Sequence, residues 1–341
     1  MSGLAPADAP NPLAPLFNAL HLDGNSVYLG PAPLYHTAPA MWSTAIQALG
    51  ATVVVMEKFD AEEALRCIDH YGVTHGQFVP TMFVRMLKLP AQVRAAYRLS
   101  SLQRVVHAAA PCPPEVKRQM IEWWGPIIDE FYSSSEAAGI TFITADEWLT
   151  HPGSVGRALL GTPHIVGDDG AELPAGEVGD IWFEGGTAFS YLNDDSKTAS
   201  AFNRHGWSTV GDVGYLDGDG YLYLTDRRHH MIISGGVNIY PQEAENLLVT
   251  HPKVLDAAVF GVPDPAMGQS VKAVVQLVAP VEPADELGDE LIAWLRERLA
   301  HYKCPRSISF ETQLPRTDTG KLYKQGLIDK YARSATDGAP T

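Results

Sequence analysis

Cysteine is scarce: Cys67, Cys112 and Cys304 are far apart and odd in number in a chain of 341 residues. Such spacing makes neither a disulfide framework nor a metal-ligand pattern, and it suits a reducing cytoplasm. Cys67 falls on an amphipathic helix pattern and is expected in the core. Long apolar runs are missing too. No stretch approaches the roughly 18 residues that a membrane-spanning helix requires. The Pro/Ala-rich start, MSGLAPADAPNPLAPLF, lacks the basic opening and apolar run of a secretory signal. Positive charge is in deficit. Lys and Arg number 25 against 40 Asp and Glu, a net charge of −15, and no Lys/Arg run interrupts that balance. Nucleic acid is therefore not expected as a partner. No internal repeat is visible.

What is present is ordinary for a folded protein: 45% apolar and 19% charged residues, in a chain long enough for two or three domains. Residues 1–25 carry weak pattern. A helix is expected at 41–49, ended by Gly50, and a short buried strand at 52–56. Asp60 is placed to cap the next helix, with Glu63 completing a capping box and Gly72 closing the helix. Strand 73–78, helix 81–88 and strand 104–109 follow. A helix opened by Pro113 and Pro114 then runs to Trp124, before a strand at 127–132. Short-looped alternation of this kind predicts an α/β sheet with parallel pairing. From about Thr162, Gly-rich turns and alternation (VGDDGAELPAGEVGDIWFEGG) predict a smaller β subdomain ending near Asp226. After a link at 227–230 comes a βαββα-like piece. It comprises helix 242–250, strands 256–262 and 271–278, helix 286–300 and a strand near 307–311. The loop LPRTDTGKLYK and a closing helix complete it, with a frayed tail after Arg333.

The stretch WSTVGDVGYLDGDGYLYLTDRRHHMIISGGVNIYP, residues 207–241, organises the rest. Asp212 stands between Gly211 and Gly214, and a hairpin folds on Asp217-Gly218-Asp219-Gly220. Asp226-Arg227, a basic imidazole-rich link, a short apolar strand at 231–233 and the pair Gly235-Gly236 follow. One carboxylate can accept the protons of two vicinal hydroxyls, and Arg227 can add donors beside it. A polar joint before a glycine loop suits a moving domain with a close backbone contact. Taken alone, acid–Gly turns and Asp-Arg pairs are equally surface hairpins.

Four further segments carry candidate chemistry. FYSSSEAAG, 131–139, ends a predicted strand, where open α/β sheets place their ligands. Tyr132 can stack on a purine, the hydroxyls of Ser133, Ser134 and Ser135 can meet phosphate, and Glu136 can ligate Mg²⁺; alone it is equally a Ser-rich turn with a solvated acid. In HAAAPCP, Ala108, Ala109 and Ala110 permit either a close ligand or tight sheet packing. In PLYHTAP, His36 lines a pocket or belongs to the core, as do its expected neighbours Met41, Trp42, Val79, Thr81 and Met82. In TDTGK, Lys321 on a Gly-containing loop can bridge a carboxylate and a phosphate, neutralising charge between two repelling anions. It is not a phosphate-binding P-loop, because the earlier Gly is missing and Leu322 follows. The competing reading is an exposed loop lysine. The acidic balance does not exclude phosphorylated ligands, which backbone amides and a few cations can hold.

Jointly and in this order, these segments resemble the adenylate-forming family of acyl-CoA synthetases, luciferases and peptide-synthetase adenylation domains. Further matches are GEVGDIWFEGG to the family's G-E-x-G-E-[IL], and GVPDPAMGQ to its G-x-P-D-x-x-x-G-E with Gln269 in place of the acid. YKCP matches as well, and LPR-T-x-x-GK-x-x-[RK] is met from Leu314 to Lys324. The resemblance runs from about Val27 to Lys330. It implies an α/β architecture, with the remainder of a large AMP-binding domain over 1–226 as parallel sheet plus β subdomain. A smaller, mobile α+β domain over 227–333 and a disordered tail over 334–341 would follow.

The implied activity is that of an ATP-dependent acyl-CoA ligase using Mg²⁺ and CoA on a fatty or other apolar carboxylic acid. By resemblance, Lys321 and Glu136 are catalytic, with Glu136 on the metal. Tyr132, Ser135, Asp212, Arg227 and Ala108–Ala110 bind nucleotide, and His36, Val79 and Met82 line the acyl pocket. His230 is the hinge, and Ser234, Gly235 and Gly236 line the CoA path. A cytoplasmic location is expected. Besides Gln269, further features depart from the family. Ser133 replaces a Gly; His230 replaces the Asp or Lys of the hinge; and the phosphate loop S-[SG]-T-T-G-x-P-K-G is not in the chain. An N-terminally truncated member is therefore expected, with an exposed sheet edge open to a complementing N-terminal piece or to homo-oligomerisation. The alternative is a non-catalytic nucleotide- or CoA-binding half-enzyme.

Overall fold

The computed structural model describes residues 14–279, 285–317 and 322–337. Its first part alternates helix and strand. In chain order the elements are α1 (Ala14–Ala19), β1 (Val27–Gly30), α2 (Thr37–Ala48), β2 (Thr52–Val55), α3 (Ala61–Tyr71) and β3 (His75–Phe78). Next come α4 (Pro80–Leu87), α5 (Ala91–Ala95), β4 (Arg104–His107), α6 (Pro114–Trp124) and β5 (Ile128–Ser133). These strands pair in parallel in the order β2-β1-β3-β4-β5. Both faces of this sheet are covered, as parallel pairing with crossover helices requires. Leu65, Ile68, Phe83, Met120 and Trp124 pack on one face, and Leu16, Phe17, Trp42 and Ile46 on the other. The strand expected to be buried at 52–56 is instead the edge strand β2, with Val55 49% exposed, because it pairs on one side only.

Local signals explain most helix ends. Asp60 accepts the Glu63 amide at 2.9 Å, and Gly72 closes α3 in the left-handed region at φ 61°. The expected capping box is only half formed, because the Glu63 carboxylate turns forward to Arg66 and Cys67 instead of back to Asp60. A complete box forms at α7 (Ala145–Thr150), which Thr144 and Glu147 cap reciprocally.

The chain then turns antiparallel through β6 (Ile140–Ile143), β7 (Ser154–Leu160), β8 (Thr162–Val166) and β9 (Gly179–Glu184). After the short helix α8 (Asp195–Ser200) come β10 (Asp212–Leu216) and β11 (Leu222–Arg227). The expected β subdomain is joined to the parallel sheet through β7. Its first half pairs with β11 at Ser154 and Gly156, its second with β6 at Arg157, Ala158 and Leu160. Gly156 stands at the handover with φ 95°, where an added Cβ would lie 2.0 Å from the Phe142 carbonyl oxygen. Only glycine fits there.

A second sheet follows a 3₁₀ turn at Arg228–His230. It contains β12 (Ile232–Ser234), β13 (Val237–Ile239), β14 (Val254–Asp264), β15 (Gly268–Leu277) and β16 (Ser307–Phe310). Helices α9 (Pro241–Leu248) and α10 (Asp285–Arg296) cover one face; α11 (Lys324–Asp337) covers the other. Thus α11 runs four residues beyond Arg333, where the tail was expected to begin. Among the described residues, contacts that tie this part to the first include Lys88 Nζ donating to the His251 carbonyl at 3.0 Å and the Gln242 amide donating to Asp226 at 3.1 Å.

Candidate functional site

The candidate site gathers at the C-terminal end of β5 and the mouth of the β10–β11 hairpin. Cross-strand register sets Asp212 opposite Arg227. Arg227 Nε lies 3.4 Å from one Asp212 oxygen, and the Tyr132 hydroxyl donates to the other at 2.7 Å. Burial, and then the Asp212 charge, push the Tyr132 hydroxyl well above its ordinary range, so it stays a donor. Tyr132, Ser134, Gly139 and Phe183 line a narrow crevice beside this trio. A larger open groove, of about 490 Å³, lies between Ala91, Arg94 and Trp123 and contains none of these residues.

The loop after β5 turns sharply. Ser133 donates to the Gly139 carbonyl at 2.9 Å, and Ala137 adopts φ 54°. Ser133 is thus spent on the loop itself, while Ser135 is exposed. Glu136 is half-buried and accepts the Tyr191 hydroxyl at 3.0 Å through one oxygen. Its carboxylate is a hard oxygen donor suited to Mg²⁺, which usually takes one or two protein carboxylates alongside water and phosphate oxygens. Among the described residues no cluster of three or more His, Cys, Asp or Glu forms an all-protein metal cage. Ala108 is buried, and Ala109 follows β4 at φ 74°, a strained conformation for a residue with a Cβ. Ala110 is half-buried beside it.

His36 precedes α2 at its N-cap, with the Tyr35 ring 4.5 Å away and its own Nε2 buried without a hydrogen-bond partner. Val79 and Met82 lie at the start of α4, 7% and 3% exposed and packed into the main core cluster. His230 places Nδ1 3.3 Å from Asp226, whose carboxylate also caps α9 through Gln242. Burial would raise the Asp226 pKa, but the His230 hydrogen bond and the Lys324 charge hold it below its ordinary value. Ser234 ends β12; Gly235 and Gly236, at φ 58° and 80°, form the two-residue turn into β13. Gln269, where the family has an acid, accepts the Ile233 amide at 2.8 Å and braces that hairpin. Lys321 lies outside the described residues.

One group of functional interest was not foreseen. Lys117, on α6, is fully buried and donates to Glu130 at 2.8 Å; His107 Nε2 lies 3.3 Å from the same Glu130 oxygen. Lys117 occupies the stripe of Lys117, Met120, Ile121 and Trp124, and a lysine at an apolar-stripe position was the available signal. Tyr191, the partner of Glu136, carried no comparable signal.

Residues 11–191 match the family described as AMP-binding enzyme, and residues 243–321 match its C-terminal domain. A feruloyl-CoA synthase from Amycolatopsis sp. is 37% identical over 86% of this chain and 59% of its own length. A long-chain-fatty-acid–CoA ligase from Bacillus subtilis is 34% identical over 90% of this chain and 55% of its own. The chain therefore spans little more than half the length of these relatives. Among solved structures, an ATP-bound RpMatB–BxBclM chimera superposes with a TM-score of 0.82 at 28% identity. It covers 94% of this chain and 63% of that one. An o-succinylbenzoate CoA synthetase from Bacillus subtilis, in complex with its acyl-adenylate intermediate, gives 0.74 at 29% identity, covering 97% and 65%. By sequence and by fold, the chain belongs to the AMP-binding enzyme family.

Proposed function

We propose that this chain acts in an ATP-dependent acyl-CoA ligase reaction. A carboxylate oxygen attacks the α-phosphorus of ATP, pyrophosphate leaves, and an acyl-adenylate forms. The CoA thiol then adds to the acyl carbon, gives up its proton, and expels AMP. The observation that carries this reading is the Tyr132–Asp212–Arg227 trio. It offers a carboxylate for two vicinal ribose hydroxyls beside an aromatic ring at the end of a sheet strand. A carboxylate has four lone-pair directions and Tyr132 uses one, which leaves room for both hydroxyls.

The remaining roles are assigned on chemistry. Glu136 would hold Mg²⁺ together with the phosphate oxygens, and the bound cation supplies charge neutralisation at the transferring group. Lys321 neutralises the substrate carboxylate and α-phosphate as they approach, work suited to a compact ammonium on a flexible stem. The 228–230 turn is the joint about which the smaller domain changes position between steps. The Gly235–Gly236 turn leaves a side-chain-free path for the pantetheine arm. The acyl substrate is an apolar carboxylic acid bound near His36. The named functions of relatives, on ferulate, long-chain fatty acids and indoleacetate, support that class.

Incubating the purified chain with ATP, Mg²⁺, CoA and a panel of fatty and aromatic acids tests this by mass spectrometry. AMP and acyl-CoA should appear together. Lys321→Ala should abolish acyl-adenylate formation while sparing thioester formation from supplied acyl-adenylate. If neither AMP nor acyl-CoA is formed, and supplied acyl-adenylate with CoA also yields nothing, the ligase reading is wrong.

A further inference from the structure

Behind the nucleotide crevice lies a buried ion network whose place in the sheet gives it a task. β4 and β5 run parallel, with rungs Val105–Ile128, Val106–Asp129 and His107–Glu130. The last rung is the final paired position before the two segments part. Beyond it, β4 passes into Ala108, Ala109 and Ala110, with Ala109 at φ 74°. β5 continues to Tyr132, whose hydroxyl reaches Asp212. Tyr132 lines the crevice, and Ala108–Ala110 leave the sheet from the same rung.

That rung carries charge where apolar packing would be the simpler solution. Lys117 and His107 are 0% exposed and Glu130 is 5% exposed. A single Glu130 oxygen receives Lys117 Nζ at 2.8 Å and faces His107 Nε2 at 3.3 Å. The Lys117 ammonium also lies 4.9 Å from the Trp148 ring centroid, so α7 packs against the network formed by β4, β5 and α6. Desolvation makes such a network a poor source of stability compared with apolar residues of the same volume. What it supplies is direction. One ammonium donating to a carboxylate oxygen that also abuts a buried imidazole fixes an angle and a separation, whereas apolar side chains tolerate sliding. A residue with a Cβ held in the left-handed region persists only where its surroundings over-determine it, and Ala109 lies two residues from the rung.

We propose that Lys117, Glu130 and His107 are a positioning network that fixes the departure of Ala108–Ala110 and Tyr132 from the sheet, and hence the width of the slot for the purine of AMP. The network touches no ligand and does no chemistry. Burial would raise the Glu130 carboxyl, but its neighbours His107 and Lys117 hold it down at about 2, and burial pulls the His107 imidazole below its ordinary value. Glu130 therefore stays ionised through the neutral range, as a positioning device requires. The purine assignment rests on the nucleotide reading above; the fixing of the two segments does not.

The test separates positioning from folding. Glu130→Met alone leaves a buried, unpaired ammonium and should lower Tm by roughly 5–10 °C. Lys117→Met/Glu130→Met removes both charges and should recover most of that loss. Hydrogen–deuterium exchange of the double variant should rise at least about tenfold in 108–112 and 131–135, while 104–106 and 128–129 keep their protection. Its Kd for AMP, measured by calorimetry, should rise at least about tenfold. His107→Phe deletes one contact without stranding a charge and should move both readouts the same way, so the inference stays testable if the double variant does not fold. Wild-type exchange in those two segments, or faster exchange spread evenly through the sheet, overturns the proposal. If the unaltered chain binds no AMP, the nucleotide reading fails, and the exchange data alone decide whether the network holds the segments.

Discussion

Replacing Asp212 separates the ribose role of this carboxylate from its structural one. In the free protein it accepts the Tyr132 hydroxyl at 2.7 Å, and Arg227 stands 3.4 Å from its other oxygen. A hydrogen bond to an ionised acceptor contributes about 1.5–3 kcal/mol. The Arg227 side chain is 42% exposed, so screening leaves that contact with at most about 0.5 kcal/mol. Asp212→Ala strands the largely buried Tyr132 hydroxyl, which should cost about 1–3 kcal/mol and lower Tm by roughly 3–10 °C. It also removes the acceptor for both ribose hydroxyls. A combined loss of about 3 kcal/mol corresponds to a Kd for AMP raised roughly 150-fold. Asp212→Asn can still accept one hydroxyl without charge assistance, so its Kd should rise only about tenfold. Calorimetric titration with AMP and thermal denaturation on the same samples supply both quantities. If Asp212→Ala lowers Tm as expected yet binds AMP within about threefold of the unaltered chain, the carboxylate is a Tyr132 anchor only and the ribose assignment is refuted.

Tyr132→Phe removes the same hydrogen bond from the other side but keeps the ring. It should cost about 1 kcal/mol in urea denaturation while changing AMP affinity less than about fivefold; a larger loss would give the hydroxyl, not the ring, the binding role. Asp129 is fully buried and accepts the Ala145 amide at 2.8 Å, and burial pushes its carboxyl up to about 6 despite that bond and nearby Arg104. Its folded pKa lies above the unfolded value, so its contribution is fullest below about pH 4 and is lost as pH rises through 6. Asp129→Asn keeps the acceptor and loses the charge, so its stability relative to the unaltered chain should grow by about 2–3 kcal/mol from pH 4 to pH 7. A flat difference across that range would contradict the raised pKa. Gly156→Ala places a Cβ 2.0 Å from the Phe142 carbonyl oxygen at φ 95°, and should cost more than about 3 kcal/mol in urea denaturation. A loss below about 1 kcal/mol would show that β7 can shift its handover between partners.

Local chemistry made much of this protein legible in its sequence. Strand–helix alternation from Val27 to Tyr132 specified the parallel sheet, because apolar runs and short polar turns act within a few residues. The Asp217–Gly220 hairpin and the Gly72 helix end were visible for the same reason: turn residues are chosen by the φ they must adopt. The motif order around Asp212, Glu136 and Lys321 pointed to the family without any geometry. Other features depend on partners far along the chain. Glu63 satisfied every local condition for a capping box, yet its carboxylate went to Arg66. Gly156 reads as an ordinary strand glycine until Phe142 is packed against it. That the strands after Thr162 continue the parallel sheet through β7 is a matter of pairing across more than sixty residues, between Ser154 and Tyr223. The Lys117–Glu130–His107 network needed three elements brought together before its charges could meet. By itself, the sequence determined most of the strand–helix alternation and the family it served. Tertiary packing decided which polar side chains satisfy one another, because a buried donor or acceptor is settled by whatever group the fold places within 3 Å of it.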